Sequence, residues 1–274
     1  NVTVVRNITL GDAATLNGTY TTPNGAFSVA GPITLAGDTV VSTGGNWSAT
    51  FSGAVDGNFA LSVNSARDIT FSAAVGSTTP LASLTTSGDN LPGHSVNTVR
   101  LRDVTTVGAI TLSGGSTKRL IGTYATSDAP FSVTGNVLLD GDMVVSTGAG
   151  AVTFAGNVTG ISTGNQSLTV NSTGAGTFAA AVGGTTALAS LTTDAGGTTS
   201  LRNVTTVGAI TLGDAATLNG TYTTTNGAFS VAGATTLAGD TVVSTGSGGG
   251  NIEFTSNLSG IAGTENLTLR VGSG

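Results

Sequence analysis

The sequence contains no cysteine, little charge and few basic side chains. Without cysteine the chain has neither disulfides nor thiolate chemistry. Only eight of its 274 residues are Lys or Arg, and the net charge is −6. Nucleic acid and anionic lipid both require clustered basic residues, so we expect neither as a partner. No apolar run reaches the roughly 18 residues that a membrane-spanning helix needs, so we expect no direct insertion into a membrane.

The chain is rich in small and β-branched residues and poor in charged ones. Glycine accounts for 43 residues and hydrophobic residues for 38% of the chain, whereas charged residues account for only 8%. Globular proteins usually contain about 25% charged residues. A disordered segment would be rich in charge and poor in β-branched residues, so this composition indicates a folded chain with an unusually neutral surface.

Three copies of one sequence repeat fill the chain. They begin at NVTVVRNITL (Asn1–Leu10), DVTTVGAITL (Asp103–Leu112) and NVTTVGAITL (Asn203–Leu212). These starting points define repeat 1 (residues 1–102), repeat 2 (residues 103–202) and a truncated repeat 3 (residues 203–274). Internal repetition of this kind is typical of solenoids, so we expect the three repeats to form one continuous solenoid.

Repeats 1 and 3 are nearly identical over part of their length. Ile8–Gly44 and Ile210–Gly246 agree at 34 of 37 positions. Insertions distinguish other segments: repeat 1 has seven extra residues around 91–97, and repeat 2 has short insertions around 118–119 and 161–164. The sequence on either side of each insertion is undisturbed. This favours stacked coils, because a longer turn can protrude from one coil without disturbing the next.

Short strands separated by turns make up each repeat. Apolar residues alternate with Thr or Ser, as in Ile8/Leu10 and Phe27/Val29, and Asn-Gly, Gly-Asp or Gly-Gly steps lie between such pairs. The pattern predicts an all-β fold, a right-handed parallel β-helix (β-solenoid) of about 14 coils with roughly 19–20 residues per coil. Tandem β-sandwich repeats, with antiparallel strands inside each repeat, are the alternative.

Segments such as GAITLGDAATLNGTY, TTLAGDTVVSTG and LTVNSTGAGTF recur along the chain. They resemble the filamentous-haemagglutinin-like repeats of large bacterial surface adhesins, and the resemblance covers the whole chain. Proteins of that family are exported by two-partner secretion or as autotransporter passengers. The resemblance implies a right-handed parallel β-helix, an extracellular location at the bacterial cell surface, and a role in adhesion or as a stalk. It implies no catalytic residues.

Few side chains have the chemistry of a metal site or an active site. Asp140 and Asp142 are the best calcium candidates, although calcium requires six or more oxygen ligands. Asp38 and Asp240 occupy the position of Asp142 in the other repeats, and a hydrogen bond from each carboxylate to its own turn is the alternative explanation. No other metal site and no cofactor is expected.

Two further residues are candidates for contact with a sugar or a partner. Trp47 is the only tryptophan, and it aligns with Gly150 of repeat 2, so we expect it to be exposed. His94 is the only histidine and lies in the seven-residue insertion, where we expect an exposed turn. A single histidine without a second ligand is a poor metal site.

Asn-x-Ser/Thr sequences make surface glycosylation a hypothesis, and the candidate acceptors are Asn7, Asn17, Asn157, Asn203 and Asn219. Catalysis is not expected. A uronate-cleaving β-helix enzyme would need clustered acids and bases, whereas only Arg100/Arg102 with Asp103, and Lys118/Arg119, are close in the sequence.

These observations predict a structural, non-catalytic, extracellular repeat segment that serves as the shaft of a bacterial cell-surface adhesin. The alternative is a protomer that stacks end to end into an extracellular filament, because an open solenoid end exposes unpaired strand edges. The expected partners are copies of the chain or neighbouring repeats at its ends, and host or surface glycans. Because the first and last residues fall inside repeats, we expect the chain to be a segment of a longer protein.

Overall fold

The computed structural model describes residues 1–88 and 98–272. These residues form two compact units, Asn1–Asn136 and Val137–Gly274, and the boundary falls inside repeat 2. Each unit is a parallel β-solenoid, and the chain carries about 12 turns of about 21 residues. The predicted β-solenoid is therefore confirmed, although its coils are fewer and longer than the roughly 14 coils predicted from the sequence.

The first unit is built from short strands with three strands of nine or more residues among them. Its described part holds the strands β1 (Val2–Thr3), β2 (Ile8–Leu10), β3 (Ala14–Thr22), β4 (Phe27–Val29), β5 (Ile33–Thr43), β6 (Ala49–Phe51), β7 (Val55–Asp56), β8 (Ala60–Ser65), β9 (Ile69–Phe71), β10 (Ser83–Gly88), β11 (Thr98–Leu101), β12 (Val104–Thr105), β13 (Ile110–Leu112), β14 (Thr117–Ala125) and β15 (Phe131–Val133). One sheet has the order β1-β3-β5-β8-β10-β13-β15, and the other has the order β2-β4-β6-β9-β11-β14.

The second unit has the same design. Its described strands are β16 (Asn136–Gly148), β17 (Val152–Phe154), β18 (Val158–Gly160), β19 (Ser167–Ser172), β20 (Ala175–Phe178), β21 (Ser190–Thr193), β22 (Thr198–Leu201), β23 (Val204–Thr206), β24 (Ile210–Leu212), β25 (Ala215–Thr224), β26 (Phe229–Val231), β27 (Thr235–Ser244), β28 (Ile252–Phe254), β29 (Leu258–Gly260) and β30 (Leu267–Arg270). The sheet orders are β17-β20-β22-β25-β27-β29 and β16-β19-β21-β24-β26-β28, and a single 3₁₀ turn covers Gly246–Gly248.

The strands pair in parallel with the strand one coil away. Ile8 of β2 lies opposite Phe27 of β4, nineteen residues later. Leu191 of β21 lies opposite Ile210 of β24 in the same way. A β-sandwich would require antiparallel pairs inside each repeat, so the tandem-sandwich alternative is wrong.

A sequence repeat does not contain a whole number of coils. In the first unit, Ile8 begins the sheet that continues through Phe27. Ile110, which occupies the position of Ile8 in repeat 2, lies in the other sheet, between Leu84 and Phe131. Repeats 1 and 2 therefore begin on different faces of the first unit.

The second unit shows the same displacement. Val152 of repeat 2 pairs with Gly176 in one sheet, whereas Ile252, its counterpart in repeat 3, pairs with Phe229 in the other. Equivalent residues of successive repeats thus fall on different faces. A motif that occurs once per repeat does not form a row along one face of either unit.

Apolar side chains fill the interior as stacks that run from coil to coil. Phe51 lies between Phe27 and Phe71, with ring centroids 5.6 and 4.5 Å away. In the second unit, the rings of Phe154 and Phe178 stack at 5.1 Å. Rings stacked at the spacing of neighbouring strands bury a large apolar area in each coil, which supplies the main driving force for folding.

Threonine and glycine form the corners of the coils. Buried threonines donate their hydroxyls to turn carbonyls, as Thr106 does to Gly108 (2.6 Å) and Thr206 to Gly208 (2.7 Å). Glycine is needed where the corners of successive coils touch, because a Cβ atom on Gly53 would lie 2.3 Å from the carbonyl oxygen of Gly31. These two roles explain why the chain is rich in both residues.

Candidate functional site

Trp47 stands on a tight turn at the surface of the first unit. The two preceding residues have left-handed backbone conformations, with φ values of 61° at Gly45 and 72° at Asn46. Glycine and asparagine are the residues that adopt this conformation most readily. Trp47 is 45% exposed, which is unusual for a side chain of this size in a chain that buries most of its large apolar residues.

Two buried hydroxyls fix the backbone of Trp47. Its carbonyl oxygen lies 2.8 Å from Thr43 Oγ1 and 2.9 Å from Ser65 Oγ. The two hydroxyl oxygens lie 2.9 Å apart, and both residues are buried. Because buried hydrogen bonds of this kind are costly to break, the indole is attached to a rigid part of the coil.

Trp47 borders a groove that crosses the turns of three successive coils. The groove has a volume of about 450 Å³ and is lined by Val5, Arg6, Asn7, Asn24 and Trp47. All five residues are exposed. Its volume lies within the range of ligand-binding pockets, about 300–1,000 Å³. It joins an aromatic face, one cation and two side-chain amides.

The polar groups of the groove differ in how far they are already engaged. Asn7 accepts a hydrogen bond from the backbone N–H of Ala26 at 2.9 Å through Oδ1, so its amide nitrogen remains a donor. Arg6 forms no ion pair with the described residues. The groove therefore offers donors to a ligand.

A second cluster of charge lies on the same unit. Arg100 and Arg119 occupy paired positions on neighbouring strands, and with Asp68, Thr70 and Thr98 they line a cavity of about 190 Å³. Asp68 Oδ1 accepts the backbone N–H of Thr98 at 2.9 Å. In the sequence Arg100 is close to Arg102 and Arg119 is next to Lys118. Coil stacking instead brings Arg100 and Arg119 together.

Asp142, one of the two aspartates considered for calcium, links neighbouring coils, as do its counterparts in the other repeats. Asp142 Oδ1 accepts the backbone N–H of Ser167 at 2.8 Å. Asp38 and Asp240 accept from the next coil in the same way, at 3.0 and 2.9 Å. The carboxylates thus bind the following coil, whereas the sequence suggested their own turns.

Within residues 1–88 and 98–272, no three His, Cys, Asp or Glu side chains cluster in a way that could hold a metal ion. Asp140 is half-buried and Asp142 is exposed. Calcium binding at this pair remains a prediction. His94 lies outside the described residues.

The candidate glycosylation sites differ in accessibility. Asn7, Asn17, Asn157 and Asn203 are exposed, and Asn219 is half-buried. Three of them accept a backbone N–H group through Oδ1: Asn7 from Ala26, Asn157 from Ala181 and Asn203 from Thr221. A glycan is attached to the amide nitrogen and leaves Oδ1 as an acceptor, so these links are compatible with modification. Glycosylation remains a prediction.

No known protein-family model, curated protein or solved structure matches this chain. In the part of the chain that the structure describes, no helix is both long and apolar enough to cross a membrane.

Proposed function

We propose that the chain is a structural, non-catalytic shaft segment of a bacterial cell-surface adhesin, located outside the cell. The observation that carries this proposal is the linkage between coils. In each unit the backbones of successive coils pair in parallel, and turn carboxylates and amides add further links, as Asp142 does to Ser167. Such a chain lengthens by adding coils, and each coil needs only its neighbours.

The distribution of the repeats supports the same proposal. Equivalent residues such as Ile8 and Ile110 fall on different faces of a unit, so repetition adds length without building a row of one motif. The resemblance of the repeats to filamentous-haemagglutinin-like sequences agrees with an extracellular stalk. The low charge agrees with it too, since main-chain pairing satisfies the polar backbone without charged side chains.

Single-molecule force spectroscopy tests the mechanical part of the proposal. A coil has about 21 residues, and each extended residue spans about 3.5 Å, so each released coil should add about 70 Å of contour length. We expect stepwise release in multiples of this length. One all-or-none release of the whole chain would contradict a shaft built from independent coils. Protease shaving of intact producing cells tests location, and a parent protein protected inside the cell would contradict the extracellular part.

A second candidate function is an extracellular filament formed by end-to-end stacking. Leu258 and Leu269 are 39% and 48% exposed, whereas Val158 and Val170 at the same positions of repeat 2 are at most 3% exposed beneath a following coil. A further coil, from the same chain or from a second copy, would bury the two leucines.

Sedimentation velocity over a range of concentrations tests the filament. If copies stack, Leu269→Lys should abolish association, whereas Ile161→Lys at an already exposed position should leave it intact. Wild-type chains that remain monomeric at high concentration would contradict the filament and leave the shaft unaffected.

A further inference from the structure

Among the three repeats, only repeat 1 has the combination of Arg6, Asn7 and Trp47 that lines the groove. Counterparts of Arg6 in repeats 2 and 3 are Gly108 and Gly208, and the counterparts of Trp47 are Gly150 and Gly250. Asn7 is likewise replaced, by alanine at positions 109 and 209. Three substitutions on one corner therefore convert a bare turn into a groove with an aromatic face, a cation and an amide.

The scaffold beneath Trp47 is shared with repeat 2. The carbonyl oxygen of Gly150 accepts hydrogen bonds from Thr147 Oγ1 at 2.5 Å and from Ser172 Oγ at 2.8 Å. Thr43 and Ser65 hold the carbonyl of Trp47 in the same arrangement. The hydroxyl pair thus holds the carbonyl at this position both where the residue is tryptophan and where it is glycine.

The chemistry of the groove fits a sugar ring with a carboxylate. The C–H face of a pyranose is apolar and packs on an indole, while its hydroxyls accept from the amides of Asn7 and Asn24. Arg6 can donate two parallel hydrogen bonds to a carboxylate. In a chain of net charge −6, an arginine at such a position that has no ion pair with any described residue favours an acidic ligand over a neutral one.

We propose that the groove formed by Val5, Arg6, Asn7, Asn24 and Trp47 is a binding site for a carboxylate-bearing pyranose, such as a hexuronate. Trp47 is the platform, Arg6 binds the carboxylate, and the two asparagines select hydroxyl orientation. The site does not depend on the shaft function. Its ligand is either a sugar from outside the molecule or a glycan attached to Asn7 itself, which lies in an Asn-x-Thr sequence.

The single tryptophan makes a direct test available. Trp47 is the chain's only tryptophan, so indole emission reports on this groove and on no other place. Protein made in a host without N-glycosylation is titrated with glucuronic acid, with a glucuronate-containing tetrasaccharide and with glucose. We expect saturable emission changes with the two acidic probes at millimolar concentrations or below, and at least about tenfold weaker binding of glucose.

Repeat-matched variants separate the roles. Arg6→Gly introduces the residue found in repeats 2 and 3. It should weaken the binding of the acidic probes at least about tenfold and leave the binding of glucose unchanged. Arg6→Lys should retain part of the affinity, because it keeps the charge but not the paired donors. Arg202→Gly removes the same charge outside the groove and should have no effect. Trp47→Gly should abolish binding measured by calorimetry, with unchanged circular dichroism.

Three results would overturn the proposal. One is the absence of any emission change with the acidic probes. Another is equal binding of glucuronic acid and glucose, and the third is an equal loss of affinity in Arg6→Gly and Arg202→Gly. The source of the sugar is decided by intact mass of protein from a glycosylating host. A sugar mass that disappears in Asn7→Ala identifies an attached glycan, and a bare-chain mass with saturable binding identifies an external ligand.

Discussion

The hydroxyl of Thr199 donates to Asp214 Oδ2 at 2.6 Å, and on the other side Thr193 donates to Asp214 Oδ1 at 2.9 Å. Asp214 is only 5% exposed. In repeat 1 the counterpart of Thr193 is Thr86, whose buried hydroxyl has no partner among the described residues. Asp214 therefore gives the buried hydroxyl of Thr193 an acceptor that the hydroxyl of Thr86 lacks.

Asp214→Ala should destabilise the fold by about 1–3 kcal/mol, because it leaves two buried hydroxyls without their acceptor. Asp12 lies in the same LGDAATL sequence but is exposed, so Asp12→Ala should change stability by less than about 0.5 kcal/mol. Urea unfolding followed by circular dichroism measures both. Equal shifts in the two variants would show that the buried triad contributes nothing.

Lys118 should make stability rise with pH in alkaline solution. Its side chain is buried, its ammonium group donates to the carbonyl oxygens of Gly114 and Gly115, and burial lowers its pKa to about 8. Between about pH 8 and 10.5 the unfolded chain holds the proton that the folded chain has lost, so stability increases with pH there. The increase should be at most about 3 kcal/mol.

Lys118→Met supplies the comparison, since its apolar side chain fills the site without a titrating group. The difference in unfolding free energy between wild type and Lys118→Met, measured from pH 7 to 10.5, should change over that interval. A difference that is independent of pH would contradict the assignment.

Tyr222→Phe should destabilise the second unit by about 1–3 kcal/mol. The hydroxyl of Tyr222 donates to the carbonyl of Leu201 at 2.8 Å and accepts the backbone N–H of Asn219 at 3.0 Å, in a buried position. Tyr20 is its counterpart in repeat 1 and is only half-buried, so Tyr20→Phe should cost less.

The hydroxyl of Tyr222 should also make stability depend on pH in alkaline solution, with a sign opposite to that expected for Lys118. Burial raises the pKa of Tyr222 above its ordinary value of 10.0. Above pH 10 the unfolded chain loses this proton first, so stability falls as pH rises. The fall should be smaller in Tyr222→Phe than in wild type, as measured by thermal unfolding between pH 9 and 11.

The stability that side-chain hydrogen bonds between coils provide should depend on the acceptor oxygen and not on the charge of the side chain. Asp103 Oδ1 accepts the N–H of Thr123 at 2.8 Å, and Asn203 accepts that of Thr221 at the same distance. Asp103→Asn should therefore be nearly neutral, and Asp103→Ala should cost about 1 kcal/mol. Chemical unfolding of the two variants side by side is the measurement. If Asp103→Asn is as destabilising as Asp103→Ala, charge matters more than the acceptor.

Glycines at coil corners should tolerate no side chain. Gly53→Ala places a Cβ atom 2.3 Å from the carbonyl oxygen of Gly31, so the corners must separate at a cost of about 1–3 kcal/mol or more. Gly11 has no atom within 4 Å of its added Cβ, so Gly11→Ala should be neutral or stabilise by about 0.4–1 kcal/mol. Comparison of the two thermal midpoints checks the prediction. A larger loss in Gly11→Ala would contradict it.

The surroundings of the candidate sites could not be predicted from local sequence. Arg6 and Trp47 are far apart in the chain, and the stacking of successive coils brings them to one groove. Lys118 and Arg119 are adjacent in the sequence, but successive residues of a strand face opposite sides, and the side chain of Lys118 is buried. Asp142 accepts its hydrogen bond from the backbone of Ser167 in the following coil, and local sequence does not show which residue lies there.

The sequence by itself determined the class of fold. Alternation of Val, Ile, Leu and Phe with Thr and Ser, together with glycine at the turns, specifies short strands with one buried face, and the internal repetition specifies stacking. The tertiary structure decided the number of coils and the face on which each residue lies. Coil length is the sum of strands and turns whose boundaries depend on contacts with the neighbouring coils, so a difference of two or three residues in one turn alters every alignment that follows. Ile8 and Ile110 occupy equivalent positions of repeats 1 and 2 and yet belong to different sheets for this reason.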